Sequence, residues 1–183
     1  MIDAKRALVL LAAGKDRPGI VDQVSGVVYR VGCNLEDSRM SVLGGEFALI
    51  ILVTGADAQL ASVEAELGKI GEDLGLTVQC KRAALPSDLD DPRGPGIPYV
   101  IRVVAVDHPG IVHKLTRLLA GEGANVLRLD TTRTHAPTTG TPMFSVHLEI
   151  AVPIDVPVTR LRKQLEGLGD EENLDIEIHA ASA

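Results

Sequence analysis

Apolar residues recur along the first part of the chain with two different periods, and each period predicts one kind of element. Residues 7–13 form a short, nearly continuous apolar run, which is typical of a buried strand. The next apolar positions recur at i, i+1, i+4, i+7, i+8 and i+11, which places them on one face of a helix over 18–31. This face consists of Ile20, Val21, Val24, Val27, Val28 and Val31. Gly32 is predicted to end the helix as its C-cap.

The same two periods continue through the next fifty residues. The predicted elements are strands over 35–43, 47–53 and 77–82 and a helix over 60–74. Gly44 and Gly45 form the turn between the first two of these strands, and Gly75 stops the helix. The order strand–helix–strand–strand–helix–strand predicts a ferredoxin-like fold of the α+β class, with an antiparallel sheet and both helices on one face.

The second half of the chain repeats the first. A segment at 16–21 recurs 91 residues later at 107–112, and Asn34 recurs at the same interval as Asn125. The two copies of the segment read Asp16-Arg17-Pro18-Gly19-Ile20-Val21 and Asp107-His108-Pro109-Gly110-Ile111-Val112. A repeat in register over this length predicts two domains of one fold.

We expect the first domain over 1–84, the second over 99–183, and a linker rich in Pro and Gly over 85–98. The second half departs from the first in its hairpin, which is six residues longer, and the added residues lie in a polar loop over 134–142. The remaining elements of the second half are predicted as a helix around 158–168 and a strand over 174–179.

Composition narrows the classes of function. The formal net charge is −7 at pH 7, and the sequence has no Trp, two Tyr and two Phe. Proteins with RNA-recognition motifs share this strand order but stack bases on aromatic residues and carry positive charge, so RNA recognition is excluded and direct DNA binding is disfavoured. No uninterrupted apolar run reaches membrane length, and the first residues lack signal-peptide order. We therefore expect a cytoplasmic protein without a membrane partner.

No residue pattern indicates a metal, a cofactor or a catalytic triad. The five histidines lack ligand spacing with cysteines or acids. Cys33 and Cys80 have neither ligand nor redox spacing, so we expect reduced cysteines that serve packing. The segment 44–47 spells Gly-Gly-Glu-Phe, a diguanylate cyclase signature, but we interpret it as a hairpin turn followed by a core phenylalanine. We expect no cofactor and no catalytic residue.

The repeated segment joins a predicted strand to a predicted helix, and we call its copies the first corner (16–21) and the second corner (107–112). Pro18 is expected in the first helical turn, where its missing N–H has no role, and Gly19 lets another group approach the backbone. The helix start offers free N–H groups and partial positive charge beside the carboxylate of Asp16. Such a corner is suited to hold both charged ends of an amino acid.

A ferredoxin-like unit with Asp-x-Pro-Gly-Ile-Val at its first turn and Gly-x-Asn before its second strand resembles an ACT domain, a small regulatory module that binds amino acids. The resemblance covers both halves. In the first half it is sharper and extends to two-ACT repressors of glycine cleavage genes. The residues that carry it are Gly14-x-Asp16-Arg17-Pro18-Gly19-Ile20-Val21, Gly32-Cys33-Asn34-Leu35-Glu36-Asp37-Ser38-Arg39 and Leu43-Gly44-x-Glu46-Phe47.

In ACT domains an effector lies between the first strand–helix turn of one unit and an adjoining unit. The resemblance implies that backbone N–H groups over 19–21 receive the ligand carboxylate, and that Asp16, Asn34 or both receive its ammonium. Crowding by Ile20 and Leu35 would select a ligand as small as glycine or serine. The implied site residues are Asp16, Arg17, Pro18, Gly19, Ile20, Val21, Asn34 and Leu35, with Asp107, His108, Gly110, Ile111 and Asn125 in the second half.

Two structural interpretations of the same residues stay open. The Asp of each corner could act only as a helix cap. Asn34 and Asn125 could each merely accommodate a left-handed turn after the preceding glycine. Both interpretations predict a local geometry that the structure can test.

We expect a non-enzymatic amino-acid sensor that represses glycine cleavage genes through a DNA-binding transcription factor, and exposed sheet edges favour a homodimer. The alternative is a free-standing amino-acid-binding regulatory subunit of a metabolic enzyme. A catalytic role has less support: ACT-like segments also precede hydrolase domains that act on formyltetrahydrofolate, but this sequence contains no such domain.

Overall fold

The computed structural model describes residues 6–85 and 96–181, and the chain divides into two compact units, 1–89 and 90–183. Each unit has the order strand–helix–strand–strand–helix–strand and a four-stranded antiparallel sheet. The predicted α+β class and the two ferredoxin-like units are confirmed.

The first unit follows the predicted order of elements. Its elements are β1 (Arg6–Lys15), α1 (Ile20–Arg30), β2 (Asn34–Leu43), β3 (Glu46–Gly55), α2 (Asp57–Leu74) and β4 (Leu76–Ala83). The strands lie in the order β2-β3-β1-β4, and each neighbouring pair is antiparallel. β1 and β3 therefore form the centre of the sheet, and β2 and β4 form its edges.

The second unit has the same topology. Its elements are β5 (Ile97–Val106), α3 (Ile111–Gly121), β6 (Asn125–His135), β7 (Pro142–Val152), α4 (Val158–Glu172) and β8 (Asp175–Ala180). The strand order is β6-β7-β5-β8. β5 begins inside the segment predicted as linker, 85–98, and residues 86–95 of that segment lie outside the described part of the chain. The domain boundaries therefore stay predictions.

The long hairpin of the second unit has more strand and less loop than predicted. β6 continues to His135 and β7 starts at Pro142, so that only residues 136–141 connect them, against the predicted loop over 134–142. His135 and Pro142 are paired across the hairpin. The added length therefore extends the sheet at the end where β5 meets α3.

One face of each sheet packs against both helices of its unit, and the other face carries apolar side chains that stay partly exposed. On β1, Leu8 and Leu10 belong to the core with residues of both helices, whereas Leu11 is 44% exposed. Ile50, its neighbour on β3, is 43% exposed. The strands predicted as buried are half-buried, because the helices cover only one face of the sheet.

A left-handed glycine follows the first helix of each unit. α1 ends at Arg30, Val31 is its C-cap, and Gly32 follows with a φ of 78°. The cap itself thus lies one residue earlier than predicted, and Gly32 provides the left-handed residue after it. Gly123 has a φ of 68° at the matching position of the second unit.

Within each unit, polar groups link the end of the first helix to the second helix, and these groups differ between the units. In the first unit, Nε2 of Gln59 in α2 donates to the carbonyl oxygen of Val31 at 3.1 Å. Glu122 takes the place of Val31 in the second unit, and its carboxylate accepts hydrogen bonds from Arg160 at 2.8 Å and from Gln164 at 2.9 Å. The repeated fold therefore does not imply repeated side-chain contacts.

Candidate functional site

The first corner is fixed at both of its ends by backbone geometry. The N–H of Asp16 donates to the carbonyl oxygen of Gly45 at 3.0 Å, which ties the corner to the β2–β3 turn. α1 begins at Ile20, and Gly19 is its N-cap with a φ of 93°. Pro18 therefore lies in the turn before the helix. Its predicted place in the first helical turn is wrong, because a left-handed residue separates it from the helix.

The start of α1 presents backbone donors. The N–H of Gln23 makes the first bond of the helix, to the carbonyl oxygen of Gly19 at 3.0 Å. The N–H groups of Ile20, Val21 and Asp22 therefore precede any helical acceptor, and the partial positive charge of the helix is concentrated there. These donors are suited to a carboxylate.

The carboxylate of Asp16 stands exposed at the same corner. The N-cap of α1 is Gly19 and no side chain makes a cap hydrogen bond, so the interpretation of Asp16 as a helix cap is wrong. Within 6–85 and 96–181, no salt bridge engages the Asp16 carboxylate. Among the described residues, a carboxylate without a salt bridge therefore lies four residues before the first residue of α1.

Asn34 lies at the opposite end of the sheet from the first corner. It pairs with Thr54 of β3, whereas Lys15, next to the corner, pairs with Glu46. The eight residue steps along β3 from Glu46 to Thr54 span about 26 Å at about 3.3 Å per residue. α1 carries the chain across this distance before β2 begins. Asp16 and Asn34 of one unit therefore do not share a site.

Asn34 and Leu35 open β2 beside a β-bulge. The register shifts between Leu35 and Asp37, which leaves Glu36 as the extra residue. Nδ2 of Asn34 donates to Oε1 of Glu36 at 2.9 Å, and Oγ1 of Thr54 donates to the same oxygen at 2.6 Å. The sequence pattern did not predict this bulge.

Asn125 repeats this placement in the second unit. It pairs with Ala151, at the end of β7 that is remote from Asp107. Asn34 and Asn125 both lie in strands, and in the described part of the chain Asn173 is the one non-glycine residue with a positive φ. The interpretation of the two asparagines as left-handed turn residues is therefore wrong.

The second corner repeats the backbone of the first but not its electrostatics. Gly110 is the N-cap of α3 with a φ of 101°, and the N–H of Lys114 donates to its carbonyl oxygen at 2.9 Å. Unlike Asp16, Asp107 is paired: its Oδ2 lies 2.7 Å from Nε of Arg133 in β6. Sequence reasoning missed Arg133, which falls 26 residues after Asp107 and was not part of either repeated segment.

The other predicted site residues have varied environments. Arg17 is exposed, and His108 is half-buried with its Nδ1 3.2 Å from the carbonyl oxygen of Pro109. Ile20 and Ile111 each bury their side chains in the core of their unit at 2% exposure. The predicted crowding of a ligand by Ile20 is therefore wrong, because its side chain points into the core.

The two thiols of the first unit lie in the packing of its core. Burial raises the pKa of the Cys33 thiol and of the Cys80 thiol, and both side chains pack against the core of the first unit, as predicted. Among the residues that the structure describes, no group of three or more His, Cys, Asp or Glu could hold a metal ion. The described helices include none with the length and hydropathy of a membrane span.

Comparison with known proteins places both units in one family. Residues 6–81 match the ACT domain, and residues 99–166 match it again. The chain is a tandem ACT-domain protein. The repeated corner, the strand order and the family match thus agree for each of the two units.

Proteins similar to this tandem ACT protein include regulators of transcription. It is 30% identical over 175 residues to the "Glycine cleavage system transcriptional repressor" of Escherichia coli K12, which covers 94% of this chain and 88% of the relative. The Shigella flexneri protein of the same name gives the same values. The family resemblance expected from the sequence is confirmed, and the chain belongs with regulatory ACT proteins.

Two solved structures are similar over nearly the full length of this chain. An unknown protein from Galdieria sulphuraria superposes with a TM-score of 0.80 and is 28% identical, over 98% of this chain and 100% of that one. A candidate glycine cleavage system transcriptional repressor superposes with a TM-score of 0.71 over 98% of this chain and 99% of its own, at 23% identity. The second likeness shows the shared fold.

Proposed function

We propose that this tandem ACT protein senses a small amino acid, glycine or serine, and represses glycine cleavage genes without catalysing a reaction. The observation that supports the proposal is the first corner, where Asp16, exposed and without a salt bridge among the described residues, precedes by four residues the helix whose first N–H groups lack helical acceptors. The 30% identity over 94% of the chain to a glycine cleavage system transcriptional repressor supports the regulatory role.

The two ends of the corner suit the two ends of the ligand. The ligand carboxylate accepts hydrogen bonds from the N–H groups of Gly19, Ile20 and Val21, at and just before the start of α1, and the Asp16 carboxylate accepts hydrogen bonds from its ammonium. No atom lies within 4 Å of the position that a Cβ on Gly19 would take, so a ligand can approach the backbone there. Glycine has no side chain to bury, and its affinity would come from these polar contacts alone.

Asn34 can contact the ligand only if it belongs to a different ACT unit from the Asp16 that binds the ligand ammonium. The separation of about 26 Å within one unit requires this, at about 3.3 Å per strand residue. All ten residues of β2 are exposed, and β2 is an edge strand that can pair with another chain. We therefore place the ligand between units of a homodimer. Ligand binding would then bias the arrangement of the two chains.

A partner protein would carry the signal to DNA. The net charge of −7 opposes binding to the phosphate backbone, and the four described helices use their apolar faces to cover the sheets. We propose a DNA-binding transcription factor as this partner, with an affinity for the sensor that changes when the amino acid binds.

A thermal-shift panel of the common amino acids tests the ligand. At about 100 times its dissociation constant, glycine or serine should raise the free energy of unfolding by about 2.7 kcal/mol. Asp16→Asn keeps the shape of the side chain, removes its charge and should abolish the response. Asp73→Asn removes an exposed charge near the end of α2 and serves as the control. A panel without any response would refute the sensing proposal.

Affinity capture with the full chain, in the presence and absence of glycine, tests the partner. A DNA-binding protein retained under one of the two conditions supports the repressor. Retention of a metabolic enzyme whose activity responds to the amino acid would favour the regulatory-subunit alternative instead.

A further inference from the structure

The two corners differ in one ion pair, although the repeat makes their backbones equivalent. Nε of Arg133 lies 2.7 Å from Oδ2 of Asp107, and the Asp107 side chain is 25% exposed. The matching carboxylate, Asp16, has no such partner in the described part of the chain. The group that would accept a ligand ammonium is therefore free in the first unit and occupied in the second.

Strand register explains why only one corner has this pair. Arg133 stands directly opposite Phe144 in the β6–β7 hairpin, and Val42 stands opposite Phe47 in the β2–β3 hairpin. Arg133 and Val42 thus occupy equivalent positions. Val42 has an apolar side chain that is 43% exposed, and it offers no cation to its corner.

The first turns of α1 and α3 also differ in charge, and this difference again makes the second corner less favourable to a ligand ammonium. α1 has an acidic residue, Asp22, in its first turn, and α3 has none. The residues of α3 that match Asp22 and Gln23 are His113 and Lys114. Lys114 is paired with Glu172 of α4, so the first turn of α3 differs from that of α1 by the absence of the Asp22 charge, which makes it less favourable to a ligand cation.

We propose that Arg133 occupies the ammonium subsite of the second corner, so that each chain binds a single small zwitterionic amino acid, in its first unit. This inference rests on the proposed sensing function. A guanidinium stays charged at all working pH values, and its attachment to the chain gives it an effective concentration on the order of millimolar. A ligand ammonium must displace it from Asp107 and then remain beside it.

Isothermal titration of the full chain with glycine, and in parallel with serine, tests the inference. The wild-type chain should bind one ligand per chain, and Asp107→Asn should leave the titration unchanged. Asp16→Asn should remove binding. Arg133→Val installs the residue of the first unit and should strengthen the second corner by about tenfold or more, so that a second ligand binds. The double variant with Asp16→Asn should retain this new site alone.

Arg128→Val provides the matched control. Arg128 lies on the same strand as Arg133 and pairs with Asp130 at 2.6 Å, with a similarly exposed side chain, but it does not contact Asp107. It should leave one ligand per chain. Arg133→Gln, which keeps most of the length of the side chain without its charge, should act like Arg133→Val and separates the charge from packing effects.

The outcomes separate this inference from the function on which it rests. Two ligands on the wild-type chain, or binding that Asp107→Asn removes and Asp16→Asn spares, would overturn the role of Arg133 and leave the sensor intact. A single ligand on both Arg133 variants would do the same. An absence of binding by the wild-type chain and by every variant would overturn the sensing function together with the inference.

Discussion

Arg160 holds the carboxylate of Glu122 across the junction between α3 and α4, with Nη2 2.8 Å from Oε1. The Glu122 side chain is 5% exposed, whereas that of Arg160 is 63% exposed. Gln164 donates to the same oxygen at 2.9 Å. A buried negative charge is thus compensated by a cation that reaches it from the solvent side.

Arg160→Ala should destabilise the protein, because among the described residues it leaves the buried Glu122 carboxylate with only the neutral Gln164 amide as a donor. We expect a loss of about 1–3 kcal/mol in the free energy of unfolding, measured by urea denaturation. Arg162→Ala removes an exposed arginine from the same helix and should change stability by less than about 0.5 kcal/mol. Equal effects of the two changes would show that the Glu122 carboxylate does not depend on Arg160.

Gly71 in α2 and Gly169 in α4 allow each helix to lie close to the segment of chain that follows it. A Cβ on Gly71 would fall 2.7 Å from Cγ2 of Val78, and a Cβ on Gly169 would fall 2.8 Å from the carbonyl oxygen of Leu174. Gly71→Ala and Gly169→Ala should each lower the free energy of unfolding by about 1–3 kcal/mol, because the added methyl group overpacks the contact.

Gly68 and Gly167 lie in the same two helices and give the control. Both are exposed, and a Cβ there would have no atom within 4 Å apart from those of its own chain neighbours and helix backbone. Gly68→Ala and Gly167→Ala should raise the free energy of unfolding by about 0.4–1 kcal/mol, because alanine restricts the unfolded chain and favours the helix. Loss of stability in all four variants would contradict this account of the close contacts.

Gly19→Ala should affect both stability and the proposed site. Gly19 has a φ of 93° and no atom within 4 Å of a Cβ position, so the cost is one of backbone conformation, about 1–2 kcal/mol. The N–H groups that open α1 should move with it, which should weaken glycine binding in a calorimetric titration. Gly19→Asn should lose less stability, because asparagine tolerates the left-handed region better. Equal stability of Gly19→Ala and the wild type would contradict the left-handed N-cap.

The elements of both units were predictable because their signals are local. The helical spacing from Ile20 to Val31 and the glycines that follow α1, α2 and α3 depend on a few neighbouring residues. The repeat then fixed the second unit from the first. The position of Pro18 was missed because sequence alone did not show that Gly19 is left-handed, which moves the start of the helix by two residues.

The partners of site residues were harder to predict, because they depend on register across the sheet. Asn34 follows Asp16 by eighteen residues, but α1 spans the sheet between them and places them at opposite ends. Arg133 reaches Asp107 only because β6 continues to His135 before the hairpin turns. A turn over 136–141, had it been recognised, would have placed Arg133 opposite Phe144 and so revealed the pair.

The two thiols provide a test of burial that depends on pH. Burial raises the pKa of Cys33; for Cys80, burial is again the largest cause, Glu64 adds to it, and Arg82 partly offsets it. A raised pKa lowers the thiolate fraction at a given pH, and the thiolate is the reactive form. At pH 8, both thiols should therefore react with a disulfide reagent more slowly in the native protein than in the protein unfolded in urea. The reaction rate of the native protein should continue to rise at pH values at which an exposed cysteine is already fully ionised.

The same shift has a defined sign for stability. In the unfolded state each thiol has the lower pKa, about 8.5, and loses its proton first as the pH rises. The free energy of unfolding therefore falls as the pH rises past that value. The contribution of each thiol to stability is present below the unfolded pKa and is lost as the pH rises through the folded pKa. Denaturation of the wild type and of Cys33→Ala and Cys80→Ala at pH 7 and pH 10 separates the two sites. A variant that carries both changes provides the reference without thiols. A wild-type protein that loses no more stability between these pH values than this double variant would contradict the raised pKa of both thiols.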